Sequence, residues 1–299
     1  MLCIYHIADH DGKGSGAVVK SVYPEIKLLG LNHDMEIPYD EIERHEMVVV
    51  CDFALPVDYM FELSKRKDFT WIDHHASVIE EYEKALKAGA EPIKGLRRTG
   101  TAAIELSWEY YYPGRPVPLG ISLLAKHDIF DLSDPRVQPF EYAMQSLGQN
   151  RPDDPVWTEL FAGRLDTEKM IGEGERILAW INARNYHLVR SMAFETEIDG
   201  LKCICANMPQ GRSSFFDTLD GIKDYDVMIN FYMNKKRRWN LSFYSAKKRW
   251  TFPKLRLVSA AAATKERQGL PLWRNCRTLS SKPCTSRPFC LNFIRIPFS

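Results

Sequence analysis

Four short segments of the sequence bring together aspartate and histidine, residue types that bind hard divalent cations. Carboxylate oxygens and imidazole nitrogens suit Mn2+ or Mg2+, and Mn2+ is favoured where histidine takes part. Two such ions that share a carboxylate can activate a water molecule for attack on a phosphoryl group. The seven cysteines have no paired spacing, which argues against a structural zinc site. The first segment runs from His6 to Asp11, includes Asp9 and is followed closely by Ser15. The other three, in chain order, are Asp52, Asp73–His74–His75 and Asp128.

Each segment on its own also has a purely structural explanation. The stretch from Asp9 to Gly12 could form a polar turn, and Asp52 could cap the element that follows it. Asp128 could be a surface acid near a helix end, and adjacent histidines also occur as ordinary hydrogen-bonding residues. The combination of all four segments, rather than any one of them, is what indicates a metal site.

The hydrophobic pattern predicts the elements that must position these residues. Predicted strands at 3–8, 47–51 and 69–72 place the first three segments at their carboxyl ends. Apolar strands that alternate with helices predict an α/β fold with a mainly parallel sheet and flanking helices. Ligands bind at the carboxyl ends of the strands in such sheets, so we expect these side chains to converge there. A further strand is predicted at 26–31, and helices are predicted at 14–22, 59–65, 77–87, 101–111, 119–126 and 169–190.

The chain divides into three predicted regions. Residues 1–192 form the first domain, which ends in the long amphipathic helix that acts as a connection. Residues 193–249 form a second, smaller and incomplete α/β domain with strands at 201–206, 227–232 and 239–244 and a short helix at 214–219. Residues 250–299 mix Arg, Pro, Cys and Ser without a helical or strand period, and no fold is predicted for them.

Charge and hydropathy restrict the classes of partner. Lys and Arg total 40 against 39 Asp and Glu, so no broad basic field is present for a long nucleic acid. A nucleic-acid substrate must therefore be short or bound by a local patch. No apolar stretch is long enough for a membrane span, and the first residues lack the basic lead-in of a signal peptide. We expect a reduced, cytoplasmic protein, with a homodimer as one option for its assembly.

The order of the motifs resembles that of the DHH family of phosphoesterases over roughly residues 1–250: Asp-x-Asp-Gly, a strand-end Asp, Asp-His-His and a later Asp. The resemblance implies two Mn2+ ions, with Mg2+ or Co2+ as alternatives. It implies that Asp73, His74 and His75 form the catalytic segment, in which Asp73 orients His74 and His75 faces the substrate phosphate. One ion would be held by His6, Asp9 and Asp52, and the other by Asp11, Asp52, His74 and Asp128, with Asp52 shared. Two alternatives stay open. His10 could replace His6 as a ligand of the first ion, and Asp131 could replace Asp128 as a ligand of the second.

The second domain resembles the DHHA1 domain that follows the catalytic domain in this family. The stretch from Ser242 to Ser245 is similar to that domain's strand motif. Arg238 and Ser15 are the candidates for substrate contact beside His75, although the basic run at 235–238 would also suit a solvated turn. The resemblance implies hydrolysis of phosphodiesters in short RNA or nucleotide phosphates, as in the nano-RNase and oligoribonuclease branch. The alternatives are an inorganic pyrophosphatase or exopolyphosphatase, and a catalytically weak nucleotide-binding protein.

The family's Gly-rich loop with one His is missing from the end of this second domain. The run from Ala260 to Gly269 stands in its place. When each codon junction from Ser259–Ala260 to Gln268–Gly269 is translated in the next reading frame, the degenerate code permits Gly-Gly-Gly-Gly-His-Lys-Gly-Ala-Ala-Gly. We therefore hypothesise that the chain is out of frame from about residue 246 onward. A divergent tail is the alternative, and the coding DNA decides between the two.

Overall fold

The computed structural model describes residues 1–245 except 149, 199, 210–212 and 236. These residues belong to two compact units, of which the first is Met1–Leu178 and the second begins at Ala179. The division at 192 that the sequence suggested stays a prediction. The region 250–299 and the frameshift hypothesis lie outside the described residues.

The first unit is built on a parallel four-stranded sheet, as the sequence predicted. Its strands are β1 (Leu2–His6), β2 (Lys27–Leu31), β3 (Met47–Cys51) and β4 (Asp68–Ile72), in the order β2-β1-β3-β4. The apolar run at Val48–Val50 is buried on both faces of the sheet, as expected for a parallel strand covered by helices. Tyr5 lies opposite Cys51, which in turn lies opposite Ile72. The three strands therefore end at the same level.

Helices surround this sheet and continue beyond it. Their bounds are α1 (His10–Val22), α2 (Tyr39–Glu43), α3 (Val57–Arg66), α4 (Ala76–Lys87), α5 (Ala103–Tyr111), α6 (Leu119–Asp128), α7 (Val137–Ser146), α8 (Pro155–Phe161) and α9 (Thr167–Met192). The predicted helix at 14–22 begins four residues earlier, at His10, because Asp9 caps it. No pattern predicted α2, which has only five residues, or α7. Along the described part of the chain, no helix has the length and apolar character needed to cross a bilayer.

The second unit contains a mixed four-stranded sheet. Its strands are β5 (Ala193–Ile198), β6 (Leu201–Asn207), β7 (Val227–Met233) and β8 (Trp239–Ser245), in that order. β6 and β7 are parallel, and the other two pairs are antiparallel. The sequence did not predict β5, because this edge strand carries glutamates and exposes Phe194. The helix predicted at 214–219 is only a 3-10 turn at Ser213–Phe215.

Candidate metal centre

The first group of candidate ligands lies where β1 and β3 end. His6 is the last residue of β1, and Asp52 directly follows β3. The His6 Nδ1 atom lies 3.2 Å from Asp9 Oδ2 and 3.5 Å from Asp52 Oδ2. Donor atoms of these three residues all lie within 4.8 Å of one another, a spacing that permits binding to one metal ion. The structure thus brings together the three residues that the sequence assigned to the first ion.

The second group surrounds the ring of His74, which follows β4. His74 Nε2 lies 3.2 Å from Asp52 Oδ1, 3.4 Å from Asp128 Oδ2 and 3.5 Å from Asp11 Oδ2. Asp52 therefore directs one carboxylate oxygen toward His6 and the other toward His74. A carboxylate placed between two donor groups in this way can bridge two cations.

The backbone of Asp52 is held in an unusual conformation. Its φ angle is +50°, in the left-handed region that residues with a side chain seldom occupy. The Asp52 N–H donates to the Ile72 carbonyl at 3.0 Å, which fixes the backbone against β4. Such strain costs on the order of 1–3 kcal/mol and is concentrated at functional sites. Here it accompanies the turn that directs the shared carboxylate between the two groups.

Helix ends hold the two aspartates of the first segment. Asp9 caps α1, because its Oδ1 accepts the Gly12 N–H at 3.0 Å. Asp11 receives the N–H groups of Ala103 and Ile104, at 2.9 and 2.7 Å, and so occupies the amino end of α5. The residue that precedes α5 is Ala102, which makes no side-chain cap.

Gly12 is required where the chain leaves β1 and enters α1. A Cβ atom on this residue would lie 2.1 Å from the carbonyl oxygen of His6. No such contact is tolerated in folded proteins, so any side chain here would displace the backbone beside His6 and Asp9. Gly12 thereby permits the close approach of helix and strand that places the first aspartates beside the strand ends.

Asp73 positions the histidine segment. Its Oδ1 accepts the backbone N–H groups of His74 at 2.7 Å and His75 at 3.2 Å, and it lies 2.6 Å from His75 Nδ1. The family resemblance assigned Asp73 to orienting His74, a role that stays a prediction, and the ring that Asp73 contacts here is that of His75. The residue is 0% exposed, and its Oδ2 has no hydrogen-bond partner among the described residues. The His75 side chain is 24% exposed, which leaves it accessible to a substrate.

The electrostatics of the cluster favour a cation. Burial, together with the charges of Asp52, Asp128 and Asp9, raises the pKa of Asp11 well above its usual value. Burial opposes the charged form of His6, but its hydrogen bonds with Asp52 and Asp9 raise the pKa of that imidazole to about 10. Likewise burial opposes the ionised form of Asp52, while hydrogen bonds with His6 and His74 lower the pKa of that carboxyl. Carboxylates crowded in this way are stabilised by a divalent cation.

Two residues that the sequence offered as rivals lie elsewhere. His10 is buried and faces away from the candidate ligands, with its Nδ1 2.9 Å from Glu141 Oε2 and its Nε2 3.0 Å from the Asn150 side-chain amide. The Asp131 Oδ1 atom accepts the Ser133 N–H at 3.1 Å. Neither rival belongs to the groups of potential ligands found among the described residues.

Ser15 and Arg238 were the further candidates for contact with the substrate, and Arg238 lies in the second unit. Ser15 is 0% exposed on α1, so its burial argues against direct contact with a substrate. Arg238 lies in the turn between β7 and β8, where its backbone N–H donates to Asn234 at 3.1 Å. Its role in substrate binding stays a prediction.

Sequence analysis missed Glu141 and His33. Glu141 lies on α7, which no pattern predicted, and it is 131 positions from the His10 that it contacts. Burial opposes the charge of Glu141, yet the hydrogen bond and charge of His10 lower the pKa of this carboxyl to about 2. The His33 ring lies 5.1 Å from the His6 ring and 6.1 Å from the His75 ring, between centroids. No sequence pattern marked His33 as a functional residue, because it is a lone histidine in a loop.

Comparison with known proteins gives distant similarities. No protein-family model matches the chain. An uncharacterized protein, R106 of Acanthamoeba polyphaga mimivirus, is 23% identical over 152 residues, which cover 46% of this chain and 35% of that protein. The chain thus spans about a third of the length of this curated relative.

Among solved structures, three are similar over 82% of this chain. A pGpG-specific phosphodiesterase, PggH of Vibrio cholerae, has 10% identity and a TM-score of 0.43, with 82% of its chain covered. A DHH domain from a member of the s1p family of ribosomal proteins has 12% identity and a TM-score of 0.46, with 73% covered. RecJ of Thermus thermophilus in complex with Mn2+ has 14% identity and a TM-score of 0.41, with 44% covered.

Proposed function

We propose that this protein is a divalent-metal-dependent phosphoesterase. The observation that carries the proposal is the position of Asp52, whose two carboxylate oxygens face two separate groups of donors. His6, Asp9 and Asp52 would hold one cation. Asp11, His74 and Asp128 would hold a second one with Asp52. Oxygen and imidazole donors of this kind fit Mn2+ best, with Mg2+ or Co2+ as alternatives.

The buried carboxylates also support the proposal that a cation binds here. Asp11 and Asp52 are almost fully buried, and the charge of Asp52 contributes to the raised pKa of Asp11, so a bound cation would relieve the repulsion between the two carboxylates. Two bound cations would supply an activated water and stabilise the leaving oxygen of a phosphoester. Asp73 would accept the Nδ1 proton of His75 and so direct the other ring nitrogen of His75 toward a substrate phosphate.

The proposed substrates are short oligoribonucleotides or nucleotide phosphates. This part of the proposal rests on the motif order that resembles the DHH family and on the nearly neutral net charge of +1. That charge is unsuited to a long polyanion, which needs an extended basic surface. The proposed reaction is hydrolysis of a phosphodiester bond by water, with release of a mononucleotide.

The test is an assay of the full chain with and without Mn2+. The substrates are a short oligoribonucleotide, 3′-phosphoadenosine 5′-phosphate and pyrophosphate. Metal-dependent release of mononucleotides from the oligoribonucleotide supports the proposal, whereas release of orthophosphate from pyrophosphate alone supports a pyrophosphatase. Asp52→Asn and Asp73→Ala should each abolish the activity. Asp68→Asn is the matched control, because its carboxylate pairs with Lys94 on the surface and should change little.

A further inference from the structure

A cavity of about 380 Å3 opens beside the metal centre in the first unit. Its walls come from the loop after β2, the segment after β3, and α4. Pockets that bind small molecules or their parts commonly begin at about this volume, roughly 300 Å3 and above. Residues that line it include His33, Met35, Phe53, Leu55, Asp58 and Glu81.

His33 joins this cavity to the candidate metal ligands. Its ring is stacked on that of Phe53, with centroids 5.4 Å apart and an angle of 19° between the planes. The same ring lies 5.1 Å from the ring of His6 and 6.1 Å from that of His75, between centroids. A group that is attached to a phosphate at the metal centre and directed into this cavity would therefore lie beside the His33 ring.

The chemistry of the walls selects among such groups. Asp58 and Glu81 are the charged residues that line the cavity, and no Lys or Arg lines it within the described part of the chain. A second phosphate would be repelled there, because its negative charge would face two carboxylates without a counter-charge. A flat heterocycle would be favoured, since it can stack on the exposed ring of His33, which itself packs on the buried ring of Phe53, and can direct its N–H donors toward the carboxylates.

We propose that this cavity, the His33–Phe53 groove, binds the nucleobase next to the phosphate held at the metal centre. The proposal rests on the proposed function for the position of that phosphate. It deepens that function, because it makes the substrate a nucleotide and excludes inorganic polyphosphate chains from this side of the site. His33 is then a specificity-determining residue for the base, and the metal ligands hold the phosphate.

The test compares the binding of two probes by calorimetry to the full chain in the presence of Mn2+. The probes are adenosine 5′-monophosphate and ribose 5-phosphate, which differ by the base alone. We expect the nucleotide to bind about 5- to 150-fold more tightly, the range for stacking of one base. His33→Ala should remove this difference without weakening ribose 5-phosphate, and His33→Phe should preserve it. His187→Ala, a change at an exposed histidine on α9, is the matched control.

Three outcomes would overturn the groove assignment. The first is equal binding of the two probes, or no binding of either, by the unsubstituted protein. The second is a His33→Ala variant that weakens both probes equally. The third is tripolyphosphate binding that depends on His33. Cleavage of the oligoribonucleotide is measured separately, so the groove can fail while hydrolysis stands, and hydrolysis can fail while base-dependent binding stands.

Discussion

Substitution of Glu141 by Gln tests how the structure supports the segments that supply the ligands. Glu141 Oε2 lies 2.9 Å from His10 Nδ1 and 3.9 Å from His127 Nδ1. His10 stands between Asp9 and Asp11, and His127 directly precedes Asp128, so one buried carboxylate contacts the neighbours of three candidate ligands.

The size of the effect follows from the pKa of Glu141, which is lowered from its usual value of 4.5 to about 2. Each pKa unit corresponds to about 1.4 kcal/mol, so the ionised carboxylate stabilises the fold by about 3 kcal/mol. Loss of one partner of a buried ion pair has a cost of the same order, about 3–5 kcal/mol. We expect Glu141→Gln to lower the free energy of unfolding by about 3 kcal/mol at neutral pH.

The pH dependence of this difference has a definite sign. Because the folded-state pKa is depressed, the stabilisation is fully present above about pH 4.5 and is lost as the pH falls through about 2. The difference between the two proteins should therefore shrink by about 1 kcal/mol between neutral pH and about pH 3.5.

Urea unfolding followed by circular dichroism measures this difference, with Glu159→Gln as the matched control. Glu159 pairs with Arg164 on the surface, where solvent screens the pair and its loss should change the free energy of unfolding little. A Glu141→Gln variant that matches this control, or whose deficit does not change with pH, would refute the reasoning.

Two further predictions concern the binding of Mn2+ and the substitution of Gly12. Saturating Mn2+ should raise the melting temperature of the protein by about 5–10 °C, because a ligand at a hundred times its Kd stabilises the fold by about 2.7 kcal/mol. Thermal unfolding with Mn2+ and with EDTA measures this. Gly12→Ala should lower the melting temperature and the affinity for Mn2+, because the added Cβ would lie 2.1 Å from the carbonyl oxygen of His6. Thermal unfolding and Mn2+ titration of this variant measure both effects.

Each of these predictions has its own control and contradicting result. An Asp52→Asn variant whose melting temperature rises with Mn2+ as much as that of the unsubstituted protein would show that the ion binds elsewhere. Gly172→Ala is the control for Gly12→Ala, because a Cβ atom at this position on α9 would have no neighbouring atom within 4 Å and the residue has no positive φ. A Gly12→Ala variant that binds Mn2+ normally would contradict the role of the close approach at His6.

The parallel sheet and the convergence of ligands could be predicted because both depend on local patterns. The apolar run at Met47–Cys51 defines a buried strand, and a polar residue directly after such a strand must lie at the sheet edge. Asp52 and Asp73 directly follow their strands and obey this rule, so their types and their positions were both visible in the sequence. His6 is the last residue of β1, which ends two residues before the predicted boundary at residue 8. The position of Asp128 at the end of α6 needed the family resemblance, because a helix end carries no such rule.

Features that depend on tertiary contacts could not be predicted. The left-handed backbone of Asp52 and the capping of α5 by Asp11 arise only when β4 and α5 have packed beside the first segment. His10 was a plausible ligand by spacing alone, and only its contact with Glu141 shows that its ring faces the other way. The edge strand β5 was missed because its exposed face lacks the apolar alternation that marks a buried strand.

Anomalous diffraction at the manganese edge, on crystals grown with Mn2+, tests the central claim most directly. The account predicts two peaks about 3.5–4 Å apart on either side of the Asp52 carboxylate. One peak should lie beside His6 and Asp9, and the other beside His74 and Asp128. Absence of both peaks, or peaks bound to other residues, would contradict the assignment of this cluster as a two-metal hydrolytic centre.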